Sequence, residues 1–314
     1  MKLETVLNDP LEPIVHVFNA YWTDLRKEYS QLGQSLGLSS DSVQINTVNR
    51  PTFKIASSTE VAIFIHGFMG SPAEMSGSAQ TIESLGFSVL NLLIPGFGAD
   101  PKLTDHFSPE DWESKLEPIL DAAIQCFRRV HLVGFSTGGL LIHSYLRRKM
   151  RSPGLSPLDL MRIKSVSFYS PFYSPHYSWA DIFGKAIGAF AKFLPVAPIF
   201  KITRLRELKV MTLRPEEYLQ KIPLLTGHRI EMFGRKVIEG SQISIPIPAL
   251  LFLSHGDQVL NQQTSEAIVR RDFLSVKVRL FETKKVPHHL MVKAVHEGAP
   301  DVWLELKSWI TNQP

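Results

Sequence analysis

Short apolar runs recur along the chain from residue 60 onward, and most of them stop within a few residues at a glycine or proline. They lie at residues 61–65, 87–93, 130–133, 166–169, 249–253 and 276–281. Runs of this length that are apolar on both faces are typical of strands buried in a parallel sheet. Helical patterns lie between most of them. Strands that alternate with helices predict an α/β fold built on a parallel sheet.

Two segments break this alternation. Residues 1–55 carry a helical pattern followed by two strand-like pieces at 43–48 and 52–56. Residues 172–246 separate two strands by far more than a crossover needs, and apolar residues recur there at helical spacing. We predict an N-terminal extension at 1–55, a core formed by 56–171 and 247–314, and a helical cap at 172–246. A second packing layer without a role in binding is the alternative interpretation of the cap.

The sharpest chemical signal is GFSTGG at residues 134–139, between a predicted strand and a predicted helix. Glycines stand two residues on either side of Ser136, where larger side chains would clash in a tight strand-to-helix turn. Such a turn exposes the serine hydroxyl beside the N–H groups that begin the helix. Ser136 is therefore the predicted nucleophile, with a glycine-rich packing turn as the alternative.

A serine nucleophile needs a general base, and the base needs an acid that orients it. In proteins that carry the nucleophile on such a turn, the three catalytic residues follow along the chain in the order serine, acid, histidine. Asp257 comes just after the apolar run at 249–253, at the strand end where a parallel sheet presents functional groups. His288 and His289 follow the last run. We expect His289 to be the base, because the apolar pair after it would anchor the loop, and His288 is the alternative.

The tetrahedral intermediate of acyl transfer also needs N–H donors for its oxyanion. Thr137, the residue after the nucleophile, is predicted to supply one from its backbone. The loop after the run at 61–65 reads HGFMGS, and we expect the N–H of Phe68 to be the second donor, with Met69 as the next candidate. His66 precedes the nucleophile, so we expect a structural role for it.

Six stretches together resemble the α/β-hydrolase superfamily, and most closely its bacterial carboxylesterase and monoacylglycerol lipase branch. They are HGFMGSPAEM at 66–75, LIPGFG at 93–98, PEDW at 109–112, GFSTGG at 134–139, GDQV at 256–259 and HLM at 289–291. The resemblance covers roughly residues 58–312 without the cap. Phe97 departs from it, since that loop of the family usually reads Pro-Gly-His-Gly, and so does the adjacent pair of histidines.

This resemblance implies an eight-stranded, mostly parallel sheet flanked by helices, with a helical lid after the sixth strand. It also implies that Ser136, Asp257 and His289 form a triad and that Phe68 and Thr137 form the oxyanion hole. Residues 1–55 match nothing in the family.

Composition and charge exclude several kinds of partner and cofactor. The net charge of +4 is a small excess without a concentrated basic stripe, so no nucleic-acid partner is expected. Cys126 is the only cysteine, which excludes an intrachain disulfide and a cysteine metal cluster. The histidines lack HExxH-type spacing, so we predict no metal and no cofactor. No apolar run reaches the roughly 18 residues of a membrane span, and we expect a soluble, cytoplasmic protein.

The expected activity is hydrolysis of a small-molecule carboxylic ester through an acyl-enzyme on Ser136. The substrate would be a short- or medium-chain acyl ester or a monoacylglycerol-like lipid. An acyl thioesterase or acyltransferase on the same triad is the main alternative, since the fold does not choose between them. A non-catalytic binding protein of the same fold is a further one.

Basic residues in the predicted cap bear on these alternatives. One set would suit the phosphates of an acyl-CoA or form a solvated helix face: Arg204, Arg206, Lys209 and Arg214. A second set lies on the polar side of the apolar stretch 179–200 and predicts transient contact with an anionic lipid surface: Lys185, Lys192 and Lys201.

Overall fold

A seven-stranded sheet forms the centre of the molecule. The computed structural model describes residues 10–151, 156–176, 196–198, 214–282, 286–292 and 299–313. Its strands in chain order are β1 (Thr52–Lys54), β2 (Glu60–Ile65), β3 (Ser88–Leu92), β4 (Arg129–Phe135), β5 (Ile163–Tyr169), β6 (Val196–Pro198), β7 (Lys221–Pro223), β8 (Ala249–Ser254) and β9 (Val276–Phe281). β6 and β7 pair with each other in a separate two-stranded sheet. All six apolar runs lie on strands of the main sheet.

The main sheet has the strand order β1-β3-β2-β4-β5-β8-β9. β1 is antiparallel to β3, and every other neighbouring pair is parallel. Parallel strands end at the same edge of a sheet, where loops carry functional groups. Ile65 pairs with Gly134 across β2 and β4, so the loop that follows β2 and the turn that follows β4 begin side by side.

Helices connect the strands, as the alternating pattern predicts. They are α1 (Glu12–Ser35), α2 (Pro72–Glu83), α3 (Pro101–Thr104), α4 (Pro109–Cys126), α5 (Thr137–Arg151), α6 (Pro157–Met161), α7 (Leu224–Glu239), α8 (Gln262–Asp272) and α9 (Ala299–Thr311). α4 begins with a capping box, in which the Ser108 hydroxyl accepts the Asp111 N–H and the Asp111 side chain accepts the Ser108 N–H.

The N-terminal segment packs on the core through α1. Its buried side chains follow a helical stripe of Ile14, Phe18, Tyr21, Leu25 and Tyr29, and they belong to the same hydrophobic cluster as the sheet. Side chains at this spacing lie on one face of a helix, which explains why the stripe is apolar.

The structure differs from the sequence prediction at three points. Residues 43–48 do not form a strand: the Asn46 side chain accepts the Val48 N–H and caps a short 3₁₀ helix, Thr47–Asn49. A side chain that bonds the local backbone in this way competes with strand pairing. The main sheet has seven strands in the described residues, against the eight that the resemblance implies. The insertion accordingly follows the fifth strand rather than the sixth.

Candidate active site

Ser136 occupies the turn between β4 and α5. Its φ of 48° lies in the left-handed region, which costs a residue with a Cβ about 1–3 kcal/mol and is common at functional sites. Two glycines make the turn possible. A Cβ on Gly138 would lie 2.1 Å from the carbonyl oxygen of Ile65, and one on Gly134 would lie 2.6 Å from the amide nitrogen of Gly139. The clash predicted from the sequence is therefore present at both positions.

Backbone hydrogen bonds hold the strained serine in place. The Ser136 N–H donates to the carbonyl of Tyr169 at 2.9 Å, and the Ser136 carbonyl accepts the Phe172 N–H at 3.1 Å. These bonds tie the turn to the end of β5 and to the residues that follow it. Ser136 is 4% exposed, so its hydroxyl lies in a largely closed site.

Asp257 lies three residues after the end of β8 and is buried. Its Oδ1 atom accepts the N–H groups of Val259 at 2.8 Å and Leu260 at 3.2 Å. Its Oδ2 atom lies 2.6 Å from Nδ1 of His288. A fixed, buried carboxylate on Nδ1 is the arrangement that orients a catalytic imidazole and leaves Nε2 for the nucleophile.

The histidine that contacts Asp257 is His288, whereas the sequence favoured His289. The apolar residues Leu290 and Met291 are buried and anchor the loop as expected. They do not decide which imidazole meets the acid, because both histidines are buried on this loop. Their rings lie 5.6 Å apart and nearly perpendicular. The path of the loop past Asp257 selects His288.

The ring of Phe135, directly before Ser136, packs against both histidines. Its centroid is 4.8 Å from the ring of His288 and 5.4 Å from that of His289. The structure thus brings Ser136, Asp257 and His288 to one edge of the sheet, and His289 lies beside His288. Burial and the charge of His288 lower the pKa of His289 well below its usual value, which keeps that imidazole neutral.

Phe68 and Thr137 lie on the two neighbouring segments at this edge. Thr137 is the first residue of α5, and Phe68 lies in the loop between β2 and α2. Met69 in that loop has a φ of 65°. Its carbonyl accepts the Leu219 N–H at 2.8 Å. The loop is therefore bonded to the chain that returns from the insertion.

His66 has the structural role expected from its position. Its Nε2 atom accepts the Ile94 N–H at 2.9 Å and its Nδ1 atom lies 2.8 Å from the carbonyl oxygen of Gly67. An amide can only donate and a carbonyl can only accept, so the proton is on Nδ1. Burial lowers the pKa of His66 to about 4, and the neutral ring links two loops.

Glu74 and Tyr218 belong to the site and were not singled out from the sequence. The Glu74 Oε2 atom accepts the Gly67 N–H at 2.8 Å. Tyr218 is buried, and its ring lies 5.7 Å from that of His289. Glu74 lies in the motif at 66–75, which was a usable signal. Tyr218 lies in the insertion, where no local pattern marks it.

Part of the predicted cap, residues 177–195 and 199–213, lies outside the described residues. This applies to the apolar stretch 179–200 apart from β6, and to the basic residues Lys185, Lys192, Lys201, Arg204, Arg206 and Lys209. Arg214 is described, and its guanidinium pairs with Glu217. Over the described ranges, no three acidic, histidine or cysteine side chains converge as a metal site would require. None of the helices described there is both long and apolar enough to span a membrane.

Family comparison agrees with the fold. A model of the alpha/beta hydrolase family matches residues 62–292, so the chain belongs to that family. The prediction of an α/β-hydrolase is confirmed. Residues 10–51, with α1, lie outside the matched region. No curated protein matches the sequence significantly.

Solved structures share this fold at low sequence identity. One from the study of the metagenome-derived lipolytic enzymes LipS and LipT is 16% identical, with a TM-score of 0.64, and covers 86% of this chain and 100% of its own. The monoacylglycerol lipase of Paleococcus ferrophilus is 15% identical, with a TM-score of 0.61 and coverage of 83% and 97%. A soluble variant of Saccharomyces cerevisiae monoglyceride lipase is 13% identical, with a TM-score of 0.61 and coverage of 83% and 90%.

Proposed function

We propose that this α/β-hydrolase cleaves carboxylic esters through an acyl-enzyme on Ser136. The observation that carries the proposal is the coincidence of a strained serine turn with a buried acid–imidazole pair at one sheet edge. Ser136 has a φ of 48°, and Asp257 Oδ2 lies 2.6 Å from His288 Nδ1. Strain of this kind persists where the surroundings enforce it, and functional sites are where it concentrates.

His288 is the proposed base. As the Ser136 hydroxyl attacks the acyl carbon, His288 Nε2 takes the hydroxyl proton and the imidazole becomes a cation. Asp257 stabilises that cation and keeps the ring oriented. The proton then passes to the leaving alcohol. A water molecule enters, gives its proton to His288 and hydrolyses the acyl-enzyme, which restores the serine.

The backbone N–H groups of Phe68 and Thr137 are the proposed oxyanion donors. They belong to the loop after β2 and to the start of α5, and these begin beside each other because Ile65 pairs with Gly134. Donors that are fixed before the reaction stabilise the oxyanion without reorganisation, and one such donor contributes about 10²–10³-fold to kcat.

A short- or medium-chain acyl ester or a monoacylglycerol-like lipid is the proposed substrate. The fold neighbours described as lipolytic enzymes and as monoacylglycerol lipases support this class. The site itself supports an apolar acyl group, since the half-buried ring of Phe68 meets the buried ring of Phe97 at 6.0 Å beside the oxyanion loop. Ligand pockets of this kind are lined mainly by apolar and aromatic groups.

Hydrolysis of p-nitrophenyl esters with acyl chains from acetyl to palmitoyl tests the proposal. We expect turnover in the wild type and a loss of about 10⁴-fold or more in Ser136→Ala. Labelling by a fluorophosphonate should occur in the wild type and be absent in that variant. A folded wild type that neither turns over esters nor takes the label would refute the proposed function.

The two neighbouring histidines offer a matched pair of variants. His288→Asn should lower kcat by at least about 10³-fold, because it removes the base. His289→Asn should retain a tenth or more of wild-type activity, because that ring does not contact Asp257. The opposite ranking of the two variants would restore His289 as the base.

The thioesterase alternative has less support in the described residues, since Arg214 pairs with Glu217. Competition between an acyl-CoA and a neutral ester of the same chain length would separate the two activities. Contact between the cap and an anionic lipid surface stays a proposal. Sedimentation with vesicles that contain or lack an anionic phospholipid tests it directly.

A further inference from the structure

Glu74 is a buried acid beside the proposed active site that the triad does not use. It lies in the first turn of α2, and only 2% of its surface is exposed. No Lys or Arg pairs with it among the residues that the structure describes. Burying a carboxyl group without a cation is costly, so its place in the site needs an explanation.

The carboxyl group lies against the loop at 67–70. Its Oε2 atom accepts the Gly67 N–H at 2.8 Å. A Cβ on Gly70 would be 2.6 Å from the same oxygen, so the carboxyl fills the space that a side chain at residue 70 would take. Glu74 therefore contacts the loop at both ends.

This loop needs external support because its backbone is strained. Met69 has a φ of 65°, which costs about 1–3 kcal/mol for a residue with a side chain. The Leu219 N–H bonds to the Met69 carbonyl at 2.8 Å on one side, and Glu74 holds Gly67 on the other. Phe68, the proposed oxyanion donor, lies between these two anchored residues. The direction of its N–H depends on them.

The second carboxyl oxygen faces the histidine loop and the chain that returns from the insertion. Glu74 Oε1 is 3.7 Å from Nε2 of His289, and the Tyr218 hydroxyl also faces the carboxyl. Within the described residues, none of three buried atoms here has a hydrogen-bond partner of normal geometry: Glu74 Oε1, Tyr218 Oη and His289 Nδ1. Glu74 is thus joined to the loop by Oε2, while Oε1 faces His289 and Tyr218.

Charge couples Glu74 to the proposed base, because Glu74 Oε1 lies 3.7 Å from His289 Nε2 and the rings of His289 and His288 are 5.6 Å apart. Burial raises the pKa of Glu74 to about 7, while the bond from Gly67, Tyr218 and the positive charge of His288 act in the opposite direction. The charge of Glu217 raises this pKa further. Electrostatic coupling is reciprocal, so an ionised Glu74 favours the imidazolium form of His288. That is the form in which His288 holds the proton of Ser136.

We propose that Glu74 is a positioning residue for the ester hydrolysis proposed above. Its carboxyl group holds the loop that aims the Phe68 N–H at the oxyanion, and its charge supports the imidazolium of His288. The assignment rests on the proposed function.

Two substitutions separate the two roles, and both are assayed on p-nitrophenyl butyrate. Glu74→Ala removes the bond to Gly67, and we expect kcat to fall about 100-fold, as for loss of one oxyanion donor, with little change in KM. Glu74→Gln keeps an oxygen for Gly67 and removes the charge. We expect the acid limb of its kcat/KM profile to move to lower pH by about half a unit, because the imidazolium loses a negative neighbour.

Glu83→Gln on the same helix is the matched control, because the Glu83 side chain is 38% exposed and pairs with Lys54 away from the site. It should have the wild-type kcat and pH profile. If Glu74→Ala does not fold, the pH profile of Glu74→Gln decides alone. Two results would each overturn the assignment of Glu74 and leave the proposed function standing. One is an acid limb of Glu74→Gln that coincides with that of wild type, and the other is a wild-type kcat in folded Glu74→Ala. A wild type whose ester turnover survives Ser136→Ala would overturn the proposed function and this assignment together.

Discussion

Tyr29→Phe tests whether the N-terminal helix is an integral part of the hydrolase. Tyr29 lies on α1, outside the region that the family model matches. Its hydroxyl accepts the Gly96 N–H at 2.6 Å and donates to the Phe97 carbonyl at 2.8 Å. The substitution removes one oxygen atom and leaves the ring, so it changes little in the packing. It deprives two backbone groups of their partner at once.

The size of the effect follows from burial. Tyr29 is 1% exposed and Phe97 is 0% exposed, so water does not readily replace the lost hydroxyl. A buried polar group without a partner costs about 1–3 kcal/mol. Two such groups predict a loss of about 2–6 kcal/mol in the free energy of unfolding, which is a large part of a typical total of about 5–15 kcal/mol.

Urea unfolding followed by circular dichroism measures this loss. Tyr21→Phe is the matched control, because Tyr21 lies two turns earlier on α1 and its hydroxyl donates only to the Leu93 carbonyl. We expect the control to lose about 1–2 kcal/mol. A Tyr29→Phe variant as stable as wild type, or no less stable than Tyr21→Phe, would refute the reasoning that this hydroxyl holds the 96–97 loop.

Two further substitutions test the nucleophile turn and a buried charge network. Gly138→Ala would put a Cβ 2.1 Å from the Ile65 carbonyl oxygen. Because the turn has no space for this atom, we expect little soluble protein on expression. A soluble, fully active variant would contradict the turn geometry. Burial alone would raise the pKa of Asp272, but hydrogen bonds from His143 and Arg271 hold it well below its usual value. Its ionised form therefore stabilises the fold above pH about 4, and that contribution is lost as the pH falls through the folded pKa. Asp272→Asn should lower the free energy of unfolding, measured with urea at pH 7, by about 3–5 kcal/mol. The difference from wild type should narrow in acid. A difference that does not change with pH would argue against a role for the charge.

Local patterns determined most elements and the turn that carries the proposed nucleophile. The run at 276–281 became an edge strand whose burial alternates. The other five runs became strands that are buried on both faces. Such a strand needs apolar side chains throughout, which a short window of sequence reveals. Ser136 could be assigned for the same reason. Its turn depends on residues within two positions, and the glycines at 134 and 138 indicate that there is no space for a side chain at those positions. The cap of α4 at Ser108 is similarly local.

Tertiary structure decided those features of the site that depend on contacts between residues far apart in the sequence. His288 and His289 are adjacent and equally buried, and only the approach of the loop to Asp257, 31 positions earlier, distinguishes them. Glu74 enters the site because α2 brings its carboxyl back onto Gly67. Tyr29 bonds a loop 67 positions away. A sequence shows which groups are present and which backbone turns are feasible, but the pairing of distant groups is set by the packing of the whole sheet and its helices.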